Sequence, residues 1–269
     1  MKPSAWAVTM MRDEEDVAGH VLRHMVSEGF DGIIVADNMS RDGTRAQLEA
    51  VARDAACRVI IVDDPVVGYF QSAKMTKLAR DAAELGATHI VPFDADEIWY
   101  HPTQRIGDFL RDLPADVGFA PAQLTNHFPS AHDAPSSNPF QSIVWRDPAP
   151  ASLPKIAFQF DPDAMIEQGN HVVHLGRHAS TRAIWELQIR HFPYRSEDQF
   201  VRKALNGKQA YDAAPTLPQD MGAHWRSYGS VVETHGAQAA VDHFRAHFWY
   251  ADPVSRGLVH DPAPFCRWS

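Results

Sequence analysis

The chain has 269 residues, of which 45% are apolar and 22% are charged, which is enough to bury one substantial core. Its formal net charge is −9, with 34 acidic and 25 basic residues and no block of lysines and arginines. Nucleic-acid-binding proteins normally carry a basic face, so the composition excludes that class.

Cysteine usage and the apolar segments predict where the protein works. The two cysteines, Cys57 and Cys266, are too few for a disulfide framework or a cysteine-based zinc site. The segment from Met1 to Met11 is too short and too weakly apolar for a signal peptide, and no run of about 18 apolar residues would span a membrane. We expect a cytoplasmic protein without a transmembrane segment, and this composition is compatible with peripheral association with a membrane.

Strand and helix patterns alternate through the first 120 residues. Four short apolar runs predict buried strands at 6–10, 32–37, 58–63 and 89–94. Helical spacing predicts three intervening helices, at 14–30, 44–55 and 71–85. This alternation is typical of an α/β protein with a mostly parallel sheet and helices on its faces.

The second half has a mixed pattern. Strands are predicted at 118–121, 155–160, 170–175 and 184–192, and helices at 196–206 and within a tail at 221–248. The segment 125–150 is rich in Pro, Ser, His and Asp, and its length favours a functional loop or lid. With no repeat or linker, we expect one domain over 1–269, with halves at 1–120 and 121–269.

Three of the predicted strands end in an aspartate, and parallel sheets bind ligands beyond those ends. After the fourth strand the chain reads Asp94-Ala95-Asp96-Glu97. Alternate carboxylates in a shared cleft need cations or hydrogen-bond donors. Mg²⁺ and Mn²⁺ prefer oxygen ligands and commonly complete their shells with substrate phosphates, so the position indicates a site for Mn²⁺ or Mg²⁺.

Three segments in order carry a resemblance to a known family. They are Met11-Arg-Asp-Glu-Glu15, the turn Ala36-Asp-Asn-Met-Ser-Arg-Asp-Gly-Thr44, and Phe93-Asp-Ala-Asp-Glu-Ile98. Together they resemble the GT-A glycosyltransferases of family 2, in a bacterial form, with the last segment similar to the DxD motif. The resemblance implies a Rossmann-like GT-A fold, with a nucleotide-sugar-binding first half and an acceptor-side second half.

The resemblance also implies roles for individual residues. The segment from Met11 to Glu15 would meet the nucleobase, and Asp37 would form a hydrogen bond with it. Asp94 would contact the ribose or the sugar, and Asp96 would bind the metal. Glu97 would orient neighbouring groups or meet the sugar. The donor-binding candidates are Asp13, Glu15, Asp37, Gln71, Lys74, Asp94, Arg195 and Lys203. The implied partners are a nucleotide-sugar donor, taken as a UDP-sugar, and a glycan or small-molecule acceptor.

A histidine downstream of the DxD motif completes the metal site in many GT-A enzymes. His191, which ends a predicted strand, is our candidate, with His171 as the second choice, since neutral imidazole is an acceptable ligand for manganese.

Family 2 enzymes are usually inverting, which requires a carboxylate base in the acceptor half. The candidates are Glu167, Glu186, Glu197 and Asp198, and we assign the role to Glu167 and Asp198. The resulting prediction is a metal-dependent, inverting glycosyltransferase of the hexosyltransferase type.

Two alternatives belong to other classes of protein. A nucleotidyltransferase on a related sheet would carry a Gly-rich basic loop after the first strand, whereas Met11 to Asp16 is acidic and lacks glycine. A carbohydrate- or nucleotide-binding protein without turnover would keep the fold, because fold does not prove function.

Overall fold

The structure is a computed structural model that describes residues 2–176, 182–262 and 268. Its strands are β1 (Ala5–Met11), β2 (Gly32–Asp37), β3 (Arg58–Asp63), β4 (His89–Pro92), β5 (Glu97–Tyr100), β6 (Val117–Phe128), β7 (Trp145–Arg146), β8 (Lys155–Gln159), β9 (Met165–Ile166), β10 (Val173–His174), β11 (Arg182–Ala183), β12 (Leu187–His191) and β13 (Val259–His260). Its helices are α1 (Ala18–Ser27), α2 (Thr44–Asp54), α3 (Gln71–Glu84), α4 (Ile106–Arg111), α5 (Pro139–Ser142), α6 (Glu197–Asp212), α7 (Ala223–His235) and α8 (Ala237–His247). A short 3₁₀ turn covers Gln168–Asn170.

The main sheet combines a parallel half with a mixed half. Strands β4, β1, β2 and β3 lie side by side in that order and are all parallel. Beyond β4 the sheet continues through antiparallel β8 and then β6, and β12 pairs with both β6 and β5. The predicted α/β class is confirmed, and this topology is consistent with a GT-A arrangement.

Alternate residues of the parallel strands are buried on opposite faces of the sheet. In β2, Ile33 and Val35 belong to the core that includes α1, whereas Ile34 and Ala36 belong to the core that includes α3. Side chains alternate along a strand, so a strand covered on both faces must be apolar throughout. This burial explains the uninterrupted apolar runs that predicted the strands.

Helix α6 lies across the carboxyl ends of the parallel strands and is held there by a third, aromatic core. That core includes Phe200 of α6, Val232 of α7 and Phe244 of α8. Ser196 caps α6, because its hydroxyl accepts a hydrogen bond from the backbone N–H of Gln199 at 3.2 Å. The helix therefore begins where the sequence predicted and presents one face to the sheet edge.

Several elements differ from the sequence-based expectation. Strand β6 runs to Phe128, so the predicted loop begins inside a strand, and the predicted halves divide at 120, also within β6. Strand β5 follows the DxD motif where no strand was predicted, and the segment predicted as a strand at 170–175 contains only Val173–His174. The helical tail breaks at Gly236, whose φ of 84° an L-residue with a side chain adopts only with strain.

Two further expectations concern the cysteines and membrane-spanning helices. Cys57 is a free, half-buried thiol, and Cys266 lies outside the described residues. Within ranges 2–176 and 182–262, no helix has the length and apolar character needed to cross a bilayer.

Candidate functional site

A cavity of about 450 Å³ lies at the carboxyl ends of β1 and β4. One face of α6 closes it from above, through residues spaced three or four apart such as Gln199, Arg202, Lys203 and Asn206. Both aspartates of the DxD motif contribute to its wall. The cavity is therefore where parallel sheets bind ligands.

Asp94 is held by donors from three different segments. Its carboxylate accepts hydrogen bonds from Gln71 at 3.1 Å, Asn170 at 3.0 Å and the Lys155 ammonium at 2.6 Å. Lys155 also lies 2.9 Å from the buried carboxylate of Glu97. Burial alone would lower the pKa of Lys155, but the charges of Asp94 and Glu97 raise it above its usual value.

Glu97 forms hydrogen bonds with the turn that carries the DxD motif. It is fully buried, and one oxygen accepts hydrogen bonds from the Asp94 backbone N–H and the Trp99 indole N–H. Burial raises the pKa of its carboxyl despite the opposing charge of Lys155. Glu97 therefore fixes the backbone of the motif from beneath.

Asp96 is almost fully buried and faces three basic groups. The Lys203 ammonium lies 2.5 Å from one carboxylate oxygen, and an Arg195 guanidinium nitrogen lies 4.0 Å from the same oxygen. The other oxygen, Oδ1, lies 3.7 Å from Nε2 of His191. Burial opposes ionisation of Asp96, but Lys203, His191 and Arg195 together hold the pKa of its carboxyl well below its usual value.

Strand register places the predicted metal ligand His191 beside Asp96. His191 pairs with Glu97 of β5 and with Asn126 of β6. Its Nδ1 lies 2.8 Å from Oδ1 of Asn126, whose amide nitrogen points to Asp147 at 3.4 Å, so Nδ1 donates. Nε2 then carries a hydrogen in the charged ring and a lone pair in the neutral ring.

When the His191 ring is neutral, the contact between Asp96 Oδ1 and His191 Nε2 brings together two groups that both carry electron pairs. A divalent cation, or a proton, between them satisfies both groups, so these two residues fit the metal assignment. No group of three or more metal-ligating side chains occurs among the residues described, so a bound ion would need substrate oxygens or water to complete its shell.

Arg12 is a cavity residue whose role the sequence analysis missed. Its side chain is 10% exposed, and its Nη2 donates to Gln209 at 2.6 Å. Its Nε and Nη1 are buried without a hydrogen-bond partner, although the Asp13 carboxylate lies 3.8 Å from Nε. Buried guanidinium nitrogens normally have an acceptor, so Arg12 is a candidate for binding an anionic group.

The two donor-binding candidates in the loop after β1, Asp13 and Glu15, point in different directions. Asp13 lines the cavity and accepts hydrogen bonds from the Arg41 backbone N–H at 2.7 Å and from Asn206 at 2.8 Å. Glu15 points away from it and accepts from the backbone N–H of Gly43 at 2.9 Å, which ties the loop to the following turn.

Of the donor-binding candidates Asp37, Gln71 and Lys74, one lines the cavity and two do not. Gln71 lines the cavity, whereas Asp37 accepts from the Ser40 backbone N–H at 3.1 Å and lies beside Arg45. Lys74 pairs with Asp64 at 2.6 Å, outside the cavity wall. Asn38, adjacent to Asp37, does line it.

Of the two predicted diphosphate-binding cations, only Lys203 reaches the cavity. Arg195 lies beneath it, 1% exposed, with its guanidinium bound to Glu14, Asp16 and the Phe192 carbonyl. Its donors are committed to internal acceptors, so we correct the assignment from phosphate binding to support of the site.

The two predicted catalytic bases lie outside the cavity. Glu167 pairs with His174 at 2.5 Å, and its side chain is 47% exposed. Asp198 is exposed on the first turn of α6, where acids are favoured by the helix dipole alone. The histidines at the cavity wall are His171, His191 and His224.

Comparison with known proteins yields likenesses only among solved structures. No protein-family model matches the chain, and no curated protein sequence is significantly similar to it. S. aureus TarS residues 1–349 align with 10% identity over 91% of this chain and 73% of that chain, with a TM-score of 0.42, and the same TarS fragment is known in complex with UDP and with UDP-GlcNAc.

Two further likenesses are more partial. The longer S. aureus TarS structure aligns with 12% identity over 49% of this chain and 23% of that chain, with a TM-score of 0.34, so the match spans about a quarter of its length. The M. tuberculosis glucosyl-3-phosphoglycerate synthase in complex with Mn²⁺, UDP and phosphoglyceric acid aligns with 16% identity over 45% of this chain and 43% of that chain, with a TM-score of 0.30. These likenesses are weak, so the GT-A-like fold rests on the sheet topology.

Proposed function

We propose that the protein is a glycosyltransferase that uses a nucleoside diphosphate sugar, with a uridine nucleotide as donor. The observation that carries the proposal is the cavity at the sheet edge, whose wall includes both DxD carboxylates and Arg12, a residue with two buried nitrogens that have no hydrogen-bond partner. Acidic and basic side chains in one cleft suit a ligand that combines a polar sugar with an anionic diphosphate.

The positive groups at the cavity counter the charge of the diphosphate. Arg12, Arg202 and Lys203 all line the same cavity, although the whole chain carries a net charge of −9. Arg12 provides a planar, permanently charged group that can bond phosphate oxygens in pairs, and Lys203 provides a point charge. We assign the diphosphate to this wall.

A bound Mg²⁺ or Mn²⁺ would be held by Asp96 and His191, and it would neutralise charge that develops on the departing diphosphate. We assign Asp94 to the sugar or the ribose, and hydrogen bonds from Gln71, Asn170 and Lys155 fix the direction of its carboxylate. We place the nucleobase of the donor at the Asp13 end of the cavity, as the resemblance implies for the segment from Met11 to Glu15.

An aromatic wall suits the sugar. Tyr69, Tyr211 and Trp225 line the cavity, and the rings of Tyr69 and Tyr211 lie 4.7 Å apart. Aromatic faces provide apolar contact area for the C–H surface of a sugar ring, and their hydroxyl groups bond its polar edge.

The first prediction tests donor binding through Arg12. UDP is expected to raise the melting temperature of the wild type, because a ligand that binds only the native state stabilises it. Arg12→Met keeps much of the side-chain volume and removes the charge, and we expect it to weaken UDP binding by about 10- to 100-fold, the usual value of charge-assisted hydrogen bonds. Isothermal titration calorimetry measures the change.

Arg80→Met is the matched control, because Arg80 is exposed on α3 away from the cavity wall. Equal UDP affinity in the two variants would remove Arg12 from the donor site. Failure of the wild type to bind UDP would overturn the proposed donor, and pyrophosphate release from UTP would favour a nucleotidyltransferase instead. UDP binding without release of sugar to any acceptor would favour a binding protein.

A further inference from the structure

The loop at residues 168–171 is fixed in the cavity wall from three directions. Gly169 donates its N–H to Gln71 at 2.7 Å, and its carbonyl accepts from Lys155 at 2.7 Å. Asn170 has a φ of 59° and donates to Asp94 at 3.0 Å. A left-handed backbone at a non-glycine residue persists only where its surroundings hold it, and such residues cluster at functional sites.

His171 is the last residue of this loop, and it lines the cavity. Its Nδ1 lies 2.8 Å from the carbonyl oxygen of Pro154. A carbonyl only accepts hydrogen bonds, so Nδ1 carries the hydrogen and Nε2 keeps the lone pair. The backbone thus fixes a tautomer whose basic nitrogen is the one not engaged by Pro154.

The carboxylates that line the cavity are already engaged. Asp94 is paired with Lys155, Asp96 with Lys203 and Glu14 with Arg195, and Asp13 accepts from two amide donors. A carboxylate paired with a cation is a weak proton acceptor where the cation favours its ionised form, as for Asp96. Burial instead raises the pKa of the Glu14 carboxyl, but its Oε2 is already occupied by the Arg195 guanidinium. Among the described cavity residues, an imidazole with a fixed lone pair is the better base.

We propose that His171 is the catalytic base, in place of Glu167 and Asp198, and this inference rests on the proposed glycosyltransferase function. Nε2 takes the proton of the acceptor hydroxyl as its oxygen forms a bond to the anomeric carbon of the donor sugar. The bond from that carbon to the phosphate oxygen breaks, and its electron pair leaves with the nucleoside diphosphate. The imidazolium then releases the proton to solvent.

Burial and the charges around His171 favour the neutral form of its ring. Burial lowers the pKa of His171, and the nearby charges of Lys155 and His191 lower it further, against the opposing effects of the Pro154 carbonyl and Asp94. The folded-state pKa is therefore below its usual value of about 6.5. The base is competent above that lowered pKa, so the rate should rise as the pH increases through it.

The test begins with ¹⁵N NMR of the imidazole nitrogens in the full chain. The signals of His171 are identified as those that disappear in the His171→Gln variant. We expect a neutral ring at pH 7 with the hydrogen on Nδ1. A charged ring, or hydrogen on Nε2, would overturn the inference without reference to activity.

A second measurement follows UDP release from UDP-glucose and UDP-GlcNAc, with water as acceptor. His171→Gln should lower the rate by at least about 100-fold, which is in the usual range for loss of a general base. It should also abolish the rise of the rate with pH. UDP affinity should remain within about twofold. The control is His174→Gln, which changes an exposed histidine of the same region and should keep the wild-type rate and pH profile.

Equal rates in the two variants would overturn the role of His171 while leaving the glycosyltransferase proposal in place. Loss of UDP binding in the wild type would instead contradict the glycosyltransferase proposal itself. If neither donor is hydrolysed measurably, the NMR result tests the role of His171 and UDP binding tests the glycosyltransferase proposal. Failure of one proposal can therefore be distinguished from failure of the other.

Discussion

Replacement of Arg195 by methionine is expected to lower the free energy of unfolding by about 3–5 kcal/mol, the usual cost of breaking a buried ion pair by removing one partner. The guanidinium of Arg195 is bound to Asp16 at 2.6 Å and to Glu14, and it lies beneath Asp96. Methionine fills part of the space but leaves these carboxylates with fewer donors. Urea unfolding at pH 7 measures the change.

The pKa shifts in this cluster give the pH dependence of that loss. Burial opposes ionisation of Asp16, but Arg195 and Arg202 hold the pKa of its carboxyl below the usual value. Its contribution to stability is therefore present at neutral pH and is lost as the pH falls through the folded-state pKa. The difference between wild type and variant should shrink in acid, where the carboxylate is protonated in both.

Arg182→Met is the control for the Arg195 experiment. Arg182 also makes a short pair with a carboxylate, that of Asp116, but both side chains are 62% exposed. Exposed pairs contribute about 0–1 kcal/mol, so this variant should unfold close to the wild type. Equal losses in the two variants would contradict the structural role assigned to Arg195.

The parallel half of the sheet was predictable from the sequence because its strands are buried on both faces. The bounds predicted for β2 and β3 agree with the structure, and α2 and α3 begin at the predicted residues. The first helix begins later than predicted, at Ala18, because residues 14–17 form a turn. Local periodicity in the sequence was therefore sufficient to predict the fold class.

The site was less predictable because its contacts join residues far apart in the chain. Asp96 pairs with Lys203, 107 positions away, and Arg195 pairs with Asp16, 179 positions away. Periodicity identifies which residues leave the sheet at one edge, but it does not say which cation pairs with which acid. Arg195 and Lys203 are both basic residues near the start of α6, and only packing places one beneath the cavity and the other at its wall.

Arg12 was missed for a related reason. It lies in the segment Met11 to Glu15, which the resemblance assigned to the nucleobase through its acids. The signal that reveals it is the absence of hydrogen-bond partners for two buried nitrogens, which is a property of the folded chain. Lys155 is the first residue of a predicted strand, and its ion pairs with Asp94 and Glu97 could not be inferred from spacing.

Asp96→Asn is expected to separate metal binding from nucleotide binding. Asparagine keeps the shape of the side chain but removes the charge that faces His191 and Lys203. Loss of groups that only support a metal ligand costs about 10- to 100-fold, so loss of a ligand should slow UDP release from a UDP-sugar by at least about 100-fold. We also expect Mn²⁺ to add no further stabilisation to the UDP complex of this variant.

In the absence of metal, the same substitution should preserve or strengthen UDP binding. Lys203 is 2.5 Å from Asp96 in the wild type, and neutralising the carboxylate releases this ammonium to bind phosphate. Thermal shift with UDP in EDTA and in Mn²⁺ measures both effects, with Asp81→Asn on the surface of α3 as control. A Mn²⁺ increment equal to that of the wild type would remove Asp96 from the metal site. Weaker UDP binding in EDTA would show instead that Lys203 acts by holding Asp96, because a freed ammonium could only have increased the attraction for phosphate.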